Sequence, residues 1–349
     1  MAEWTVAHYN QAGTKMGEAL VTEPEFETSL NNVGWCNYSI PVGHYLARKR
    51  LGSDPMTDPT ANAYVLLRDG VMIVSGLITS VQHGPYEPML EVSGMEWMHL
   101  AERRIVPWVV DSFQHPYMTD SLDTATIARD LLQAIGFNPK VGSTTNYSIQ
   151  LSGRTIGYAV EYGDTDSAFS KISALAEQEP GFDFFYDYAL NTFYTYAPKR
   201  GSVIGLRLEA GANIKNVKIQ NSGIRASKIW TVGSGLGQKF AAYRENASAT
   251  ATYRELSEGV DFGEVASQTF QDSRADAEIA RASAPIKAIS FDVVSSRIGN
   301  FWTIKLGDTV RVVSSDEYDT IDEERRVIQI HCSVNRQGDE RITLGFEED

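Results

Sequence analysis

The chain has 349 residues, a hydrophobic fraction of 42% and a formal net charge of −14. This length suits two to four domains, and the hydrophobic fraction is that of a folded protein rather than a disordered one. The negative charge argues against a protein that wraps nucleic acid, because phosphate binding needs clustered Lys and Arg. The short basic run Arg48–Arg50 is interpreted as a solvated turn.

Cysteine usage and the N-terminus restrict the class further. Cys36 and Cys332 are the two cysteines, and they form no Cys-x-x-Cys pair. The sequence therefore predicts neither a disulfide framework nor a zinc site. Met1–Trp4 lacks the basic and apolar regions of a signal peptide, and no apolar run approaches the ~18–20 residues that span a bilayer. We expect folding in a cytoplasm and no membrane insertion.

The first block, residues 1–110, is dense in strand patterns and in aromatic residues, which favour sheets. Asp69–Gly70 lies between the apolar runs Tyr64–Leu67 and Val71–Val74, and Asp-Gly between β-formers predicts a hairpin. Gly76 interrupts the second run and predicts a bulge or bend. This block is expected to form a small barrel or sandwich.

Residues 111–205 predict an inserted α+β domain. Ile127, Leu131 and Ile135 recur every four positions, after a cap at Asp120 or Asp123 and before Gly136 as C-cap. A second helix is predicted to begin near Thr165 or Asp166 and to end before Pro180, because proline cannot continue a helix.

A hairpin follows this second helix. Residues 182–188 alternate, so Phe182, Phe184, Tyr186 and Tyr188 share one face, and 192–197 is the returning strand. We expect the preceding helix to pack on the aromatic face. Asp183 and Asp187 would then lie on the opposite face, towards solvent.

The last part of the chain returns to strand patterns. Residues of about 206–235 are expected to complete the N-terminal barrel, and 236–285 to form a loop and helix connector with a helix over Asp272–Ser283. Residues 286–349 predict a C-terminal β-barrel. No internal repeat is visible at a fixed period.

The chemical motifs are weak. Gly233, Gly235 and Gly237 follow a strand, but the third glycine comes one residue early for a dinucleotide fingerprint, so a flexible turn is favoured. Asp183 and Asp187 are separated by roughly 13 Å of strand, which is too wide for a paired-carboxylate glycosidase.

The remaining metal-ligand types are equally unpromising. The histidines show no zinc-type spacing, and the acidic run 316–324 lacks the glycine of an EF-hand loop. The neighbours His331 and Cys332 on a strand would point to opposite faces. We predict no catalytic, cofactor-binding or metal-binding residues, no cofactor and no enzymatic activity.

Five stretches together resemble the tail hub proteins of tailed bacteriophages, often described as minor tail proteins and related to baseplate hubs. They are residues 67–80, the helix-hairpin segments 180–184 and 196–201, the strand and glycine turn 229–235, the strand opening at 306–312, and the pair 325–330 with 340–344. The resemblance spans about residues 20 to 346, and it rests on the order and spacing of motifs that are individually common.

The resemblance implies a fold and a role. The fold class is α+β and β-dominated, with two tube-like β-barrel domains and an inserted small α/β domain. The implied role is that of a structural hub in the virion, which closes the distal end of the tail tube as a homotrimer. Six barrels would then match a sixfold tube to a threefold tip. Receptor binding and wall degradation would fall to other proteins, because the chain ends after the hub.

The implied partners are distal tail or tail tube proteins, a tape measure protein, and a central fibre or other tip proteins. DNA would pass through an acidic lumen without specific binding, because like charges repel. Two alternatives remain open: a tail-tip cell-wall hydrolase, and a carbohydrate-binding receptor adhesin. The adhesin would use exposed aromatics such as Trp4, Trp35, Trp97 and Trp108.

Overall fold

A computed structural model describes residues 2–43, 58–84, 86–107, 117–140, 143–160, 164–178, 180–235, 238–264, 268–284, 287–298, 301–315 and 320–347. Strands dominate these residues, so the prediction of a β-dominated α+β fold is confirmed. The basic run Arg48–Arg50 lies outside the described residues.

The strands are β1 (Trp4–Tyr9), β2 (Lys15–Leu20), β3 (Thr22–Ser29), β4 (Trp35–Pro41), β5 (Ala63–Arg68), β6 (Val71–Gln82), β7 (Met89–Glu96), β8 (Tyr117–Asp123), β9 (Asn146–Ser148), β10 (Thr155–Val160), β11 (Asp183–Asp187), β12 (Thr192–Tyr196), β13 (Val203–Glu209), β14 (Ile214–Asn221), β15 (Lys228–Gly235), β16 (Gln238–Glu245), β17 (Ser257–Glu264), β18 (Lys287–Val293), β19 (Thr309–Ser315), β20 (Thr320–Val334) and β21 (Glu340–Phe346). The α-helices are α1 (His99–Glu102), α2 (Thr124–Ala134), α3 (Ala168–Ala176), α4 (Ala247–Tyr253) and α5 (Gln268–Ala282).

One large sheet joins the two ends of the chain. Its hydrogen-bonded order is β14-β18-β21-β20-β3-β4-β7-β6-β5-β1-β2, and β19 and β13 continue from β20. The path ends at β2 and at β14, and no closed barrel is found among the described residues. The predicted Asp69–Gly70 hairpin is present as the β5–β6 turn, with Arg68 opposite Val71. Predicted strands at both ends are therefore confirmed, and they share one hydrogen-bonded sheet.

The partners of residues 203–221 differ from the expectation. The sequence assigned about 206–235 to the N-terminal strands, yet β13 pairs with β19 and β14 pairs with β18. The alternation within a strand indicates which face is buried but not which distant strand lies beside it. Residues 203–221 therefore belong with the C-terminal strands.

The inserted helices follow their local signals. Asp123 caps α2 by accepting a hydrogen bond from the Ala125 N–H, and Ile127 and Leu131 are fully buried. Gly136 follows α2 at φ +62°, where glycine avoids the clash of a Cβ. For α3 the cap is Ser167, one residue beyond the expected Asp166, because the Ser167 hydroxyl accepts from the Ser170 N–H.

The aromatic hairpin packs as its alternation predicts. β11 pairs with β12, and Phe182, Phe184 and Tyr186 are buried against the inserted helices. The rings of Phe169 on α3 and Phe184 are 5.8 Å apart in an edge-to-face arrangement. This pair fixes the helix on the hairpin, since such contacts add to the burial of apolar surface.

Residues 238–264 form ordered structure rather than the expected loop. β16 pairs antiparallel with β15, β17 pairs parallel with it, and α5 packs against this three-stranded sheet. The core beneath α5 is small and contains Ala226, Ile229 and Ala282. The buried Gln271 donates to the Thr231 hydroxyl over 2.7 Å. A core of alanines and hydrogen-bonded polar groups gives little hydrophobic periodicity, which explains the wrong expectation.

Candidate assembly interface

The carboxylates that invited a catalytic reading are engaged in structural contacts. Asp183 is 5% exposed, which corrects its expected position on a solvent face. Its Oδ1 accepts from Asn31 Nδ2 at 2.9 Å, and its Oδ2 accepts from the Arg200 N–H at 2.6 Å and from the Arg326 guanidinium. Asn31 Oδ1 in turn accepts from the Phe184 N–H at 2.7 Å.

These contacts make Asp183 a junction of three chain segments. Asn31 follows β3, Asp183 begins β11 of the inserted domain, and Arg326 lies on β20. A buried carboxylate needs its charge and its lone pairs satisfied, and this one has an arginine and two further donors. The arrangement holds the inserted domain on the large sheet. It leaves the carboxylate with no free face for acid–base chemistry.

Arg200 extends the same junction. Its guanidinium stacks on Phe185 at 4.2 Å and lies over Tyr196 at 5.4 Å. Its carbonyl accepts from Arg326 Nη2 at 3.1 Å. Burial lowers the pKa of Arg200, against the raising effect of nearby anionic groups. The outer face of the aromatic hairpin is thus covered by a cation next to the Asp183 junction.

The other motifs considered as metal or cofactor sites form no such site in the described part of the chain. The described residues contain no group of three or more His, Cys, Asp or Glu that could hold a metal ion. Residues 316–319 of the acidic run lie outside the described residues, and Asp322 is paired with Arg311 at 2.6 Å. Gly233 lies within β15, which corrects its expected place in a turn. The strand after β15 is antiparallel, so no βαβ phosphate site forms there.

The tryptophans proposed for sugar stacking differ in their surroundings. Trp4 and Trp97 are each 5% exposed and belong to the core. Trp35 lies against His331, with ring centroids 5.8 Å apart, and Trp108 is outside the described residues. Exposed aromatics occur instead at Trp230 and Tyr243, which face each other across β15 and β16. The sequence does not reveal this pair, because it predicts a loop where β16 lies.

The contact between β3 and β20 joins the head and the tail of the chain. Five pairs form this antiparallel ladder, from Gln329 opposite Ser29 to Ser333 opposite Glu25. His331 Nε2 lies 3.0 Å from Glu25 Oε1 on the outer face. The ladder therefore fixes the register of the two halves, because a slip by one residue would turn every side chain to the wrong face.

The inner face of the same ladder carries both cysteines. Cys332 and Cys36 flank Phe26 on the strands to either side of it, and all three side chains are buried. Both cysteines are free thiols, and burial raises the pKa of each thiol. The predicted opposite orientation of His331 and Cys332 is confirmed. The thiols are apolar core groups here, because burial of this kind keeps them protonated and inert.

Two strand edges of the large sheet are of interest among those that have no strand partner in the described part of the chain. β14 pairs with β18 on one side only. β6 pairs with β5 up to Leu77, and beyond Ile78 its residues Ser80 to Gln82 pair with β7 alone. Unpaired backbone groups at a sheet edge are a template for another strand. These two edges are the candidate assembly interface.

A cleft of about 1050 Å³ lies between the N-terminal and C-terminal strands. Arg68 crosses it to Glu340 at 2.7 Å and lies over the Trp302 ring at 5.4 Å. Glu340 also accepts from the Ser295 hydroxyl at 3.2 Å. Arg68 and Glu340 satisfy each other's charge, so the cleft contains a structural bridge rather than a catalytic pair. No described helix is both long enough and apolar enough to cross a bilayer.

No protein-family model and no curated protein matches the chain. Several solved structures, however, do match it. The chain resembles the tail protein from Neisseria meningitidis MC58 with a TM-score of 0.66 and 12% identity, over 99% of this chain and 96% of that one. It resembles the 43 kDa tail protein of prophage MuSo2 from Shewanella oneidensis with a TM-score of 0.65 and 15% identity, over 98% and 97%.

A third similar structure comes from a secretion machine. This E. coli component of the type VI secretion system, described as similar to T4 bacteriophage tail proteins, gives a TM-score of 0.53 and 13% identity over 94% of this chain and 73% of that one. At these identities the likeness defines the fold. The chain thus has the fold of phage tail proteins, and the resemblance to tail hub proteins predicted from its motifs is confirmed at that level.

Proposed function

We propose that the chain is a non-enzymatic structural hub of a phage tail tip, which closes the distal end of the tail tube as a trimer and surrounds the path of DNA. Support comes from similarity to two phage tail proteins over nearly their whole lengths. The decisive observation is internal. The N-terminal and C-terminal strands follow the same order, as two barrel-like units in one hub chain require.

The N-terminal strands form a cycle once chain continuity is counted. The order β3-β4-β7-β6-β5-β1-β2 returns to β3, because Val21 alone separates β2 from β3. The C-terminal order β14-β18-β21-β20-β19-β13 returns to β14 through residues 210–213, where Ala210 forms a bridge with Ile214. Apart from β1, the first cycle matches the second strand for strand when β2/β3 is set against β13/β14.

One difference between the cycles supports the match. β1 has no counterpart in the C-terminal cycle. β5 and β2 are both antiparallel to β1, and hence parallel to each other. Removing β1 would bring two parallel strands together. β13 and β19 are parallel neighbours, as this deletion requires.

Irregularities in the two cycles also coincide. β6 has a register shift against β7 between Ile78 and Ser80, and β20 has one against β21 between Val327 and Gln329. In each case the shift begins at the residue after the last one that pairs with the preceding strand, which is β5 for β6 and β19 for β20. Bulges are positional features of a fold rather than random defects, so this agreement supports a common origin for the two units.

A second coincidence lies in β3 and β14. β3 shifts register between Thr22 and Glu25, and β14 shifts between Lys215 and Lys218. Inside these shifts, Glu23 has φ 50° and Asn216 has φ 54°. Positive φ is uncommon for residues other than glycine. The alignment that places Ile78 on Val327 also places Glu23 on Asn216.

These correspondences revise the proposed domains. The N-terminal barrel takes residues 1–96, the inserted α+β domain 97–202, and the C-terminal barrel 203–221 with 287–347. The small sheet with α4 and α5 occupies 222–286. Two barrels per chain in a trimer give six positions, which suit a sixfold tail tube, and a closed ring leaves no open heterologous surface.

The proposed neighbours are distal tail or tube proteins, a tape measure protein and tip or fibre proteins. The net charge of −14 favours a lumen that repels DNA. Light scattering of the purified chain across a concentration series tests the assembly, with a trimer expected. A monomer at every concentration contradicts the trimeric hub, and a nanomolar duplex-DNA complex at moderate salt contradicts the non-binding channel.

A further inference from the structure

The pairing of β3 with β20 has a counterpart that the single chain leaves open. In the alignment of the two cycles, β14 corresponds to β3 and β6 corresponds to β20. β3 and β20 pair within the chain. β14 and β6 do not, because six strands separate them in the sheet order. Within the described part of the chain, each of these two strands has a free edge on the side that its counterpart uses for pairing.

We propose, on the basis of the trimeric hub above, that β14 of one chain pairs antiparallel with the end of β6 of a second copy. A trimer would then contain two kinds of junction: β3 with β20 inside each chain, and β14 with β6 between chains. Three of each kind close the ring. The occupant of both free edges is therefore another copy of this protein.

The register follows from the internal ladder. Gln329 opposes Ser29 and Ser333 opposes Glu25 in the β3–β20 pair. When the two cycles are aligned at their coincident bulges, Gln329 corresponds to Ser80 and Ser29 corresponds to Ser222. Ser80 should therefore lie opposite Ser222 of the next copy. The same alignment sets Gly84 opposite Lys218. All four residues are described, and the Ser80 side chain is exposed while that of Ser222 is half-buried.

The edge of β6 is suited to receive a strand. Ser80 and Gln82 are exposed, and Tyr86 in the turn after β6 is 98% exposed. A tyrosine with its whole ring in solvent is a natural contact for a partner, because aromatic rings supply much of the stabilisation at interfaces. The internal counterpart of this turn lies after β20, where Arg336 contacts Glu23 at 3.2 Å.

Charge favours the same partner. β14 presents the exposed Lys215 and Lys218, whereas the turn after β6 and the start of β7 present the exposed Glu87 and Glu91. The signs are reversed relative to the internal junction, where the turn is basic and β3 is acidic. Such an arrangement selects the correct edge, because like charges would repel a second β14 from β14.

Cysteine cross-linking tests the pairing. Ser80→Cys with Ser222→Cys makes a nearly isosteric change at both positions, and directly opposed strand residues have Cβ atoms about 4.5–5.5 Å apart. Under mild oxidation we expect covalent dimers and trimers that reduction removes. The matched control is Ser80→Cys with Lys218→Cys, which displaces the second thiol by about 13 Å along β14. Each single variant controls for Cys36 and Cys332.

The outcomes separate this proposal from the hub itself. A non-covalent trimer in light scattering, with no more cross-linking in the Ser80/Ser222 variant than in its control, overturns the pairing and leaves the hub. A monomer at all concentrations overturns both. As a second measurement, Lys218→Glu should lower the trimer fraction severalfold and Glu87→Lys added to it should restore assembly. An unchanged trimer fraction in Lys218→Glu contradicts the proposed edge.

Discussion

Replacing Arg326 tests whether the Asp183 junction holds the inserted domain on the large sheet. In Arg326→Met, Asp183 would keep its hydrogen bonds from Asn31 and the Arg200 N–H but lose the ion pair that it forms with Arg326. The side chains of Asp183 and Arg326 are only 8% and 11% exposed, so water screens the remaining charge poorly. Breaking a buried pair in this way costs about 3–5 kcal/mol. We expect a loss near ~3 kcal/mol, since two donors remain.

The matched control is Arg311→Met. Arg311 pairs with Asp322 in a similar arginine–carboxylate contact, but their side chains are 54% and 46% exposed. Exposed pairs contribute about 0–1 kcal/mol. Urea denaturation, followed by tryptophan fluorescence, measures the two losses of unfolding free energy. Equal losses below ~1 kcal/mol in both variants would refute the reasoning. Asp183→Asn in the Arg326→Met background should recover part of the loss, because it removes the unpaired charge.

Three further predictions concern single positions. Burial raises the pKa of Glu96 to about 8, opposed by the Gly34 N–H and assisted by Glu27. The folded state therefore holds a proton that the unfolded state releases above about pH 4.5. As a result, the unfolding free energy should fall between pH 4.5 and 8, by at most ~1.4 kcal/mol per pH unit. Glu96→Gln should flatten this slope, and an unchanged slope would exclude Glu96 as its source. A Cβ added at Gly94 would overlap the Tyr64 ring, whereas one at Gly259 meets nothing within 4 Å. Gly94→Ala should therefore lower the unfolding free energy by about 1–3 kcal/mol in a thermal or urea melt, and Gly259→Ala should not. Equal melts for the two variants would contradict this packing. Cys36 and Cys332 are buried thiols with raised pKa, so a thiol reagent should label them only after unfolding, and rapid labelling of the native protein would contradict their burial.

The elements predicted correctly from sequence have strong local signals. The Asp69–Gly70 hairpin needs a turn glycine between two apolar runs, and α2 needs a cap, a four-residue apolar spacing and a glycine at its end. The aromatic alternation from Phe182 to Tyr186 likewise states which face is buried. In each case the residues that decide the structure lie within one turn or one strand of each other.

The errors have the opposite character. The sequence predicts Asp183 towards solvent because its partners, Asn31 and Arg326, are 152 and 143 residues away and leave no local signal. The pairing of residues 203–221 depends equally on distant strands. The sequence predicts the helix α5 but not the sheet that it covers, because the core there uses alanines and the buried Gln271 in place of large apolar residues. The prediction of two tube-like barrels comes from the resemblance alone, because the correspondence proposed for the two cycles lies in bulges and backbone angles, which different residues can adopt.

The β3–β20 ladder also affects how the chain is made. His331 and Glu25 are 306 residues apart, so β3 leaves the ribosome long before the strand that covers its edge exists. During that interval the nascent chain exposes an edge whose inner face carries Phe26. Contacts of such long sequence separation slow folding and leave partly folded chains open to aggregation. The acidic Glu23, Glu25 and Glu27 along this strand would keep nascent copies from pairing with one another, since charged edge residues oppose strand addition.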